Sequence, residues 1–347
     1  MTTQNSTPLI IISSSPHMHN SNSIDVAMRD VLLSLLPAVL AAIYYFRTPA
    51  LLLILTCVAT AMLAEGCCQK LMHRPITVCD GSAALTGLLL ALCLPPTLPL
   101  TLGFFGSACA IIIGKQCFGG LGCNLFNPAH LGRAILLASF PQQMTTWVQP
   151  ATATLAAVTS ATGKAGVAAV TTATPLALLR QSEFQWLHQN FSLAGLPALS
   201  DLFWGNTAGS LGETCIPALV LGGIFLLWRG HIDWRVPAFY LGTVVVLTGC
   251  YGYFRNYPDF FALYHLCSGG LIIGAFFMAT DWVTSPISRK GRIIYALGLG
   301  ILTSLIRLRG SYIEGVCYSI LIMNMLTPLI DSFTRTTPFG GGAMGRE

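Results

Sequence analysis

Residues 31–46 read VLLSLLPAVLAAIYYF, a run of apolar side chains without a single charged group. Such a stretch is stable in the hydrocarbon core of a bilayer, where every ionised side chain is costly. The whole chain has the same character, since 54% of its 347 residues are hydrophobic and 9% are charged. A typical soluble domain has about 25% charged residues. There are too few charged side chains here to cover a water-facing surface, so the sequence predicts a membrane protein.

Similar apolar runs recur along the chain and are separated by short polar connections. Matched against a hydrocarbon core of about 30 Å, they give the candidate transmembrane spans. These lie near residues 31–46, 50–64, 82–94, 99–113, 127–140, 215–228, 236–254, 260–280, 293–306 and 312–330. We therefore predict an all-α polytopic membrane protein of about ten transmembrane helices, five before and five after a long polar segment.

Each half has an odd number of spans, so any repeat between the halves must be inverted. Thr86–Leu92 in the third span resembles Gly269–Ala275 in the eighth, which is the third of its own half. The run 82–94 is short for a regular crossing. Short segments at matching positions of two halves are typical of a binding site near the bilayer midplane. A tilted or thin helix explains the same short run equally well.

The basic residues set the predicted orientation. With the N-terminus in the cytoplasm, eleven Lys and Arg side chains lie on the cytoplasmic side and six on the other, as the positive-inside rule requires. The apolar residues 9–12 are too few for a signal peptide, so we expect the first span to be retained. The predicted parts are a cytoplasmic tail 1–28, a five-helix repeat 29–140, a periplasmic segment 141–213, a second five-helix repeat 214–332 and a cytoplasmic tail 333–347.

Cysteines and net charge point to neither a metal site nor nucleic acid. The twelve cysteines contain no CxxC motif, and most stand in apolar runs, where a thiol behaves as a small hydrophobe. The net charge of +5 is scattered over the sequence. No basic run is dense enough to indicate nucleic-acid binding.

The loop Gly119–Pro128 reads GGLGCNLFNP. Its glycines permit positive φ angles, and Asn127-Pro128 is typical of a turn followed by the start of a helix. Free N–H groups at a helix start bind anionic or carbonyl groups. Asn124 and Asn127 are therefore candidate cofactor-binding residues, although an ordinary tight turn explains the same pattern.

Two acidic residues stand next to apolar runs. Asp281 follows a predicted helix C-terminus, where a carboxylate is electrostatically unfavourable. We expect this carboxylate to pair with Arg289, Lys290 or Arg292. Glu314 falls in the predicted first turn of the tenth span, where helix capping is the default role. Both are also candidates for an ion path, because acidic side chains inside membranes are rare and usually functional.

The polar segment 141–213 is rich in Thr and Ala, and it contains the sequence TTATPL at residues 171–176. Composition alone favours a loop or a plain helix there. A threonine hydroxyl is a weak nucleophile at neutral pH, so a covalent modification of this segment requires a separate enzyme and an accessible backbone. We find no arrangement of residues that predicts a catalytic site in this chain.

Four stretches together resemble the D subunit of the Rnf electron-transport complex. They are Asp80–Gly87, Gly119–Arg133, Phe276–Pro286 and Gly315–Asp331. The same stretches resemble, more distantly, the B subunit of the sodium-translocating NADH:quinone reductase. The resemblance extends over nearly the whole chain and is weakest across 141–213. It implies a bacterial inner-membrane complex that couples electron transfer between ferredoxin and NAD to the movement of H⁺ or Na⁺.

The resemblance also implies cofactors and partners. The D subunit of this family carries FMN on a threonine through a phosphoester bond, which a dedicated flavin transferase forms. The attachment motif falls on residues 168–174, so Thr174 is the expected FMN site and Thr171, Thr172 and Ala173 complete the motif. Ala168 stands where the motif has an Asp. A second, noncovalent riboflavin is implied among the helices, and the expected partners are Rnf subunits of the A, B, C, E and G types.

Two other functions are compatible with the same predicted fold. One is a solute or ion channel built from inverted repeats without flavin, with the polar segment as an external cap. The other is a scaffold that anchors redox partners. Stoichiometric covalent flavin distinguishes the electron carrier from both.

Overall fold

The computed structural model describes residues 23–150, 173–186, 196–258, 260–310, 312 and 314–335. Within these ranges all regular structure is helical, in agreement with the predicted class. The α-helices are α1 (Ile24–Leu71), α2 (Ser82–Leu92), α3 (Leu100–Ile111), α4 (Pro128–Ser139), α5 (Pro141–Met144), α6 (Pro175–Trp186), α7 (Leu199–Trp204), α8 (Ile216–Trp228), α9 (Arg235–Phe254), α10 (Phe261–Leu266), α11 (Leu271–Ile273), α12 (Arg289–Arg309) and α13 (Val316–Phe333). A 3₁₀ turn (Val78–Asp80) precedes α2, and π-helical turns follow α3 (Ile112–Gln116) and α11 (Gly274–Met278).

In the described part of the chain, α1, α9, α12 and α13 are long and apolar enough to cross a membrane. Helix α1 has 48 residues, a length of about 72 Å at the usual helical rise. A left-handed backbone at Arg47, with φ 59° and ψ −138°, interrupts it. Pro49 follows, at the start of a new helical segment where the missing N–H is tolerated. Residues 24–46 and 48–71 are therefore two segments, each long enough for one crossing.

Helix α2 is shorter than a membrane crossing. Its 11 residues extend about 16 Å, and Gly81 precedes them with a φ of 77°. The carbonyl oxygens of Leu92 and Leu94 at its end accept hydrogen bonds from Gly212 N at 2.6 Å and Leu211 N at 3.1 Å. A distant loop thus satisfies these buried backbone groups, as apolar surroundings require. The predicted short third run is a short helix followed by a buried turn.

The prediction of one helix across residues 260–280 is wrong. Helix α10 ends at Leu266 and α11 begins at Leu271. Between them Gly269 and Gly270 have φ angles of 72° and 63°, a left-handed conformation that glycine adopts without steric cost. The loop between α10 and α11 therefore does not continue as a helix, and it lies against Leu176 and Glu213 of the preceding polar segment.

The helices on the two sides of the polar segment share one apolar core. Gly222 in α8 approaches α1 so closely that a Cβ atom there would overlap the carbonyl oxygen of Ser34. The side chain of Asn127, just before α4, donates a hydrogen bond to Met278 O at 3.3 Å. The two sets of helices are therefore packed as one unit.

The outside of this unit is apolar. Many large apolar side chains, among them Leu40, Leu63 and Val246, are exposed on its helices, and exposed apolar surface of this extent is typical of a membrane interaction site. Exposed Trp228 and Tyr253 stand near the ends of α8 and α9, where aromatic side chains often mark the membrane–water interface. These features agree with a multi-pass membrane protein.

Candidate functional site

Thr174 is fixed at the start of helix α6. Its Oγ1 accepts a hydrogen bond from Ala177 N at 3.3 Å, and Pro175 takes the first helical position, where no N–H donor is needed. Leu176 and Leu179 bury one face of α6 against Phe261 of α10. As a result only 5% of Thr174 is exposed.

The rest of the predicted attachment motif is only partly described. Ala173, directly before Thr174, is exposed. Thr171 and Thr172 lie outside the described residues.

Thr174 borders a small polar cavity, here called the Thr174 cavity. Its volume is about 10 Å³, and its lining includes Thr174, Thr207, Glu213, Thr214, Ser268 and Gly269. This is room for about one water molecule. Two enclosed oxygens at the cavity, Oε1 of Glu213 and Oγ of Ser268, have no hydrogen-bond partner within the described ranges.

Arg307 of α12 supports the wall of this cavity. The side chain is buried and donates hydrogen bonds to His265 O at 2.6 Å, Ser268 O at 2.8 Å and Gly269 O at 3.0 Å. Its Nη2 would be only 2.8 Å from a Cβ atom at Gly269, where φ is 72°, so any other residue there would be strained and would displace the guanidinium group. Sequence reasoning assigns Arg307 no role beyond its charge, because these carbonyl partners lie about forty residues away.

These residues suit one phosphoryl oxygen of FMN, but the cavity does not hold its ring. The positive end of α6, the unpartnered hydroxyl of Ser268 and the nearby Arg307 cation are groups that favour a phosphoryl oxygen. A cavity of about 10 Å³ has no room for a three-ring isoalloxazine. A flavin attached to Thr174 would therefore have its ring outside the Thr174 cavity.

A second and larger cavity lies between the two sets of helices and is here called the interface cavity. Its volume is about 270 Å³. Most of its wall is apolar, and its polar residues include Lys115, Asn124, Asn127, His231, Thr280 and Asp281. Pockets with apolar walls and a few polar groups are typical of small-molecule sites. The structure thus brings Asn124, Asn127 and Asp281 together, apart from Thr174.

The two asparagines have local partners. Oδ1 of Asn127 accepts hydrogen bonds from Ala129 N at 3.1 Å and His130 N at 3.4 Å, so the start of α4 is capped by its own side chain. Asn124 donates to Phe126 O at 3.3 Å. The predicted positive φ angles are confirmed in this loop, for example 127° at Gly119.

The predicted pairing of Asp281 with Arg289, Lys290 or Arg292 is wrong. Its carboxylate accepts hydrogen bonds from Thr284 Oγ1 at 3.1 Å and Val283 N at 3.5 Å. Arg292 instead pairs with Asp233 at 2.9 Å. The basic cluster lies at the start of α12 and meets the α8–α9 connection, while Asp281 lines the interface cavity.

The predicted capping role of Glu314 is also wrong. Helix α13 begins at Val316, and Gly315 is its N-cap residue without a side-chain cap. Glu314 instead forms an ion pair with Arg133 of α4. The sequence places Arg133 inside a span, and the ion pair shows how that charge is accommodated there.

Sequence reasoning missed a buried ion pair between Glu65 and Lys115. Lys115 Nζ lies 2.6 Å from Glu65 Oε1 and 2.5 Å from Ser82 Oγ. Gln116 Nε2 also donates to Glu65 Oε1, at 3.0 Å. Lys115 lies in the π-helical turn after α3, and π turns are frequent at functional sites. Each residue of the pair stands just past the end of a predicted span, where a charge ordinarily marks the membrane boundary.

A second missed cluster lies beside the interface cavity, near the start of α1. His231 Nε2 and Arg229 Nη2 each lie 2.7 Å from Asp30 Oδ2. Trp282 Nε1 donates to His231 O at 2.6 Å. The sequence contains a signal for this cluster, because the acidic Asp30 directly precedes the first apolar run.

Comparison with known proteins identifies the family of this chain. The chain matches the model of the NQR2, RnfD, RnfE family over residues 11–340. It is 47% identical to the D subunit of the proton-translocating ferredoxin:NAD(+) oxidoreductase complex of Clostridium ljungdahlii, over 96% of each chain. It is 43% identical to the D subunit of the Na(+)-translocating complex of Acetobacterium woodii, over 97% of this chain and 98% of the relative. The D subunit of the ion-translocating oxidoreductase complex of Stutzerimonas stutzeri is 42% identical over 94% of each chain.

These matches extend over nearly the full length, and they confirm the resemblance that four sequence motifs indicated. Taken with the helical membrane architecture, they show that the chain belongs to the NQR2, RnfD, RnfE family, and the three relatives named here are D subunits.

Proposed function

We propose that this protein is a membrane subunit of an Rnf-type ferredoxin:NAD oxidoreductase complex. In this proposal it carries FMN on Thr174 and relays electrons, coupled to the transport of H⁺ or Na⁺. It acts together with partner subunits of the A, B, C, E and G types and is not catalytic alone. A flavin transferase is required for its maturation.

The observation that carries the proposal is the position of Thr174. Thr174, the expected FMN site of the family motif, caps α6. It borders a cavity that has two unpartnered oxygens, and the buried Arg307 lies nearby. When bound there, FMN would supply the electron-accepting chemistry. The start of α6 and the Ser268 hydroxyl would hold the FMN phosphate. The buried wall of the Thr174 cavity would limit the access of water to that phosphate.

The test is to produce the chain together with the flavin transferase and its partner subunits. Denaturing electrophoresis under ultraviolet light and intact-mass measurement should reveal one FMN bound through a phosphoester. Thr174→Val removes the hydroxyl while it keeps the shape of the side chain, and it should abolish the fluorescence. Thr207→Val, at the same cavity, should retain it. An unmodified wild-type chain, or equal labelling of both variants, would contradict the proposal.

We further propose that the interface cavity binds the noncovalent riboflavin. Its apolar wall suits an aromatic ring system, and Asn124, Asn127 and Asp281 offer polar groups that suit the ring edge. Thr86 lines this cavity, and Thr86→Leu should reduce the acid-extractable flavin. Thr56→Leu is the matched control, because both hydroxyls bond to the carbonyl four residues earlier and Thr56 is not part of the cavity lining. Equal flavin in both variants would contradict this placement.

The architecture proposed with this function is about ten membrane segments in two inverted repeats of five. Residues 141–213 face the periplasm, and both ends of the chain face the cytoplasm of the bacterial inner membrane. The support is the break at Arg47, together with short segments that follow left-handed glycines, α2 after Gly81 and α11 after Gly270. Alkaline phosphatase should be active when fused within 141–213 and inactive when fused after residue 335. The reverse pattern would refute the orientation.

A further inference from the structure

Glu213 lies at the Thr174 cavity, and the proposed attachment of FMN leaves it without a role. It belongs to the loop between α7 and α8. The two residues before it, Leu211 and Gly212, donate backbone hydrogen bonds to carbonyls at the end of α2. The loop is thereby fixed to the first set of helices, and the Glu213 side chain forms part of the cavity wall.

The Glu213 carboxyl group is held between two glycine backbones. A Cβ atom at Gly209 would lie 2.9 Å from Oε2, and one at Gly270 would lie 3.0 Å from Oε1. Oε1 is enclosed and has no hydrogen-bond partner in the described part of the chain. The same is true of Oγ of Ser268, which is 4% exposed and lines the same cavity. Unpartnered enclosed oxygens are costly, so this pair points to a bound cation or proton.

The charges that act on Glu213 come from several packed elements. Arg133 of α4 and its partner Glu314 both interact electrostatically with it, and so does Arg307 of α12. The Cys93 thiol at the end of α2 is a further neighbour. Two guanidinium groups thus balance two carboxylates in this region.

A phosphoester on Thr174 would disturb that balance. It adds one negative charge at the Thr174 cavity, and each electron that reaches the flavin ring adds another outside that cavity, on the same attached cofactor. At this partly buried site such charges interact more strongly than in water. Ser210 hydrogen-bonds to the Glu213 carboxyl group, but Oε1 has no donor in the described part of the chain, so it is the oxygen that gains most from a cation.

We propose that Glu213 binds a monovalent cation, either a proton or Na⁺, when electrons reach a flavin on Thr174. This inference rests on the proposed attachment of FMN. With a proton, an O–H bond forms at the carboxyl group. With Na⁺, the ion lies between that group and the Ser268 hydroxyl. Glu213 offers one site, so one cation enters with the first electron, and in the test an electrode supplies the electrons.

The first experiment measures the midpoint potential of the full chain loaded with covalent FMN. Titrations are made across pH at fixed salt, and at fixed pH with NaCl in place of choline chloride. A coupled cation shifts the potential by up to about 59 mV for each tenfold change in its concentration for one electron. Glu213→Gln should lose the Na⁺ dependence or the corresponding part of the pH dependence. Asp201→Asn, which alters a carboxylate of α7 outside the cavity, should keep the wild-type behaviour.

The second experiment does not depend on flavin. In the Thr174→Val chain, infrared difference spectra during titration with acid or NaCl should show a carboxyl C=O band that Glu213→Gln removes. If Glu213→Gln fails to fold, Glu213→Asp shortens the side chain and should move the titration midpoint at least tenfold in cation concentration.

The outcomes separate the two proposals. A flavin-loaded Glu213→Gln chain with wild-type cation dependence would overturn the inference and leave the proposed function standing. An unchanged midpoint in Glu213→Asp would overturn it as well. Absence of flavin from Thr174 would overturn the proposed function, and the infrared titration would still decide whether Glu213 takes up a cation.

Discussion

The Glu65–Lys115 ion pair gives the sharpest test of how this fold tolerates charge. The two side chains are 1% and 2% exposed, and their charged atoms are 2.6 Å apart. Lys115→Met keeps the unbranched stem of the side chain and removes the ammonium group. The Glu65 carboxylate then remains buried with donors only from Gln69 and Gln116. Removal of one partner from a buried pair costs about 3–5 kcal/mol, and we expect the lower end of that range because the two amides remain.

Thermal unfolding in detergent provides the assay, followed by a maleimide dye that reacts with buried thiols such as Cys57 and Cys93. Lys115→Met should melt well below the wild type. The double variant with Glu65→Gln should recover most of the loss, because no charge is then left unpaired. Lys70→Met removes an exposed charge from the same helix as Glu65 and should change stability by less than about 0.5 kcal/mol. Equal melting of the two Lys variants, or a double variant as unstable as Lys115→Met, would refute the reasoning.

Two further predictions concern packing and pH. Gly222→Ala should lower the stability by about 1–3 kcal/mol, because its Cβ would overlap the carbonyl oxygen of Ser34. Gly242→Ala, with no atom within 4 Å, should be neutral or gain up to about 1 kcal/mol. Equal shifts of the melting temperature would contradict this reading. Burial raises the pKa of Asp233. Hydrogen bonds from Arg235 and Arg292 lower it by more than burial raises it, so the pKa lies below its usual range. The stabilisation is therefore complete above the unfolded-state pKa of about 3.9 and is lost as pH falls through the lower folded-state pKa. Asp233→Asn should melt lower at neutral pH and should lose this acid dependence, whereas parallel pH curves for variant and wild type would show that the pairing adds no stability.

Local sequence was sufficient for the properties that depend on neighbouring residues. Apolar runs predicted a helical membrane protein, because each run must bury its own backbone groups within a helix. Glycines in the Gly119–Pro128 loop predicted left-handed backbone, and Asn127-Pro128 predicted the start of α4. The family motifs were local as well, and the comparisons confirmed them.

Two of the predictions that failed concern partners distant in sequence. Local reasoning pairs Asp281 with its nearest basic residues and Glu314 with its own helix end, yet Arg133 lies 181 residues from Glu314. The third failure, one helix over 260–280, has a local cause, because Gly269 and Gly270 interrupt the helix with left-handed backbone.

The sequence by itself determined that this chain is a helical membrane protein of its family, with Thr174 as the expected anchor. Apolar runs and turn residues determine the structure of the few residues around them, so they can be interpreted before the fold is known. Only the tertiary structure decided which charges are buried together. Glu65 with Lys115 and Arg133 with Glu314 are stable in apolar surroundings because packing brings each charge to its partner, and no local pattern specifies that meeting.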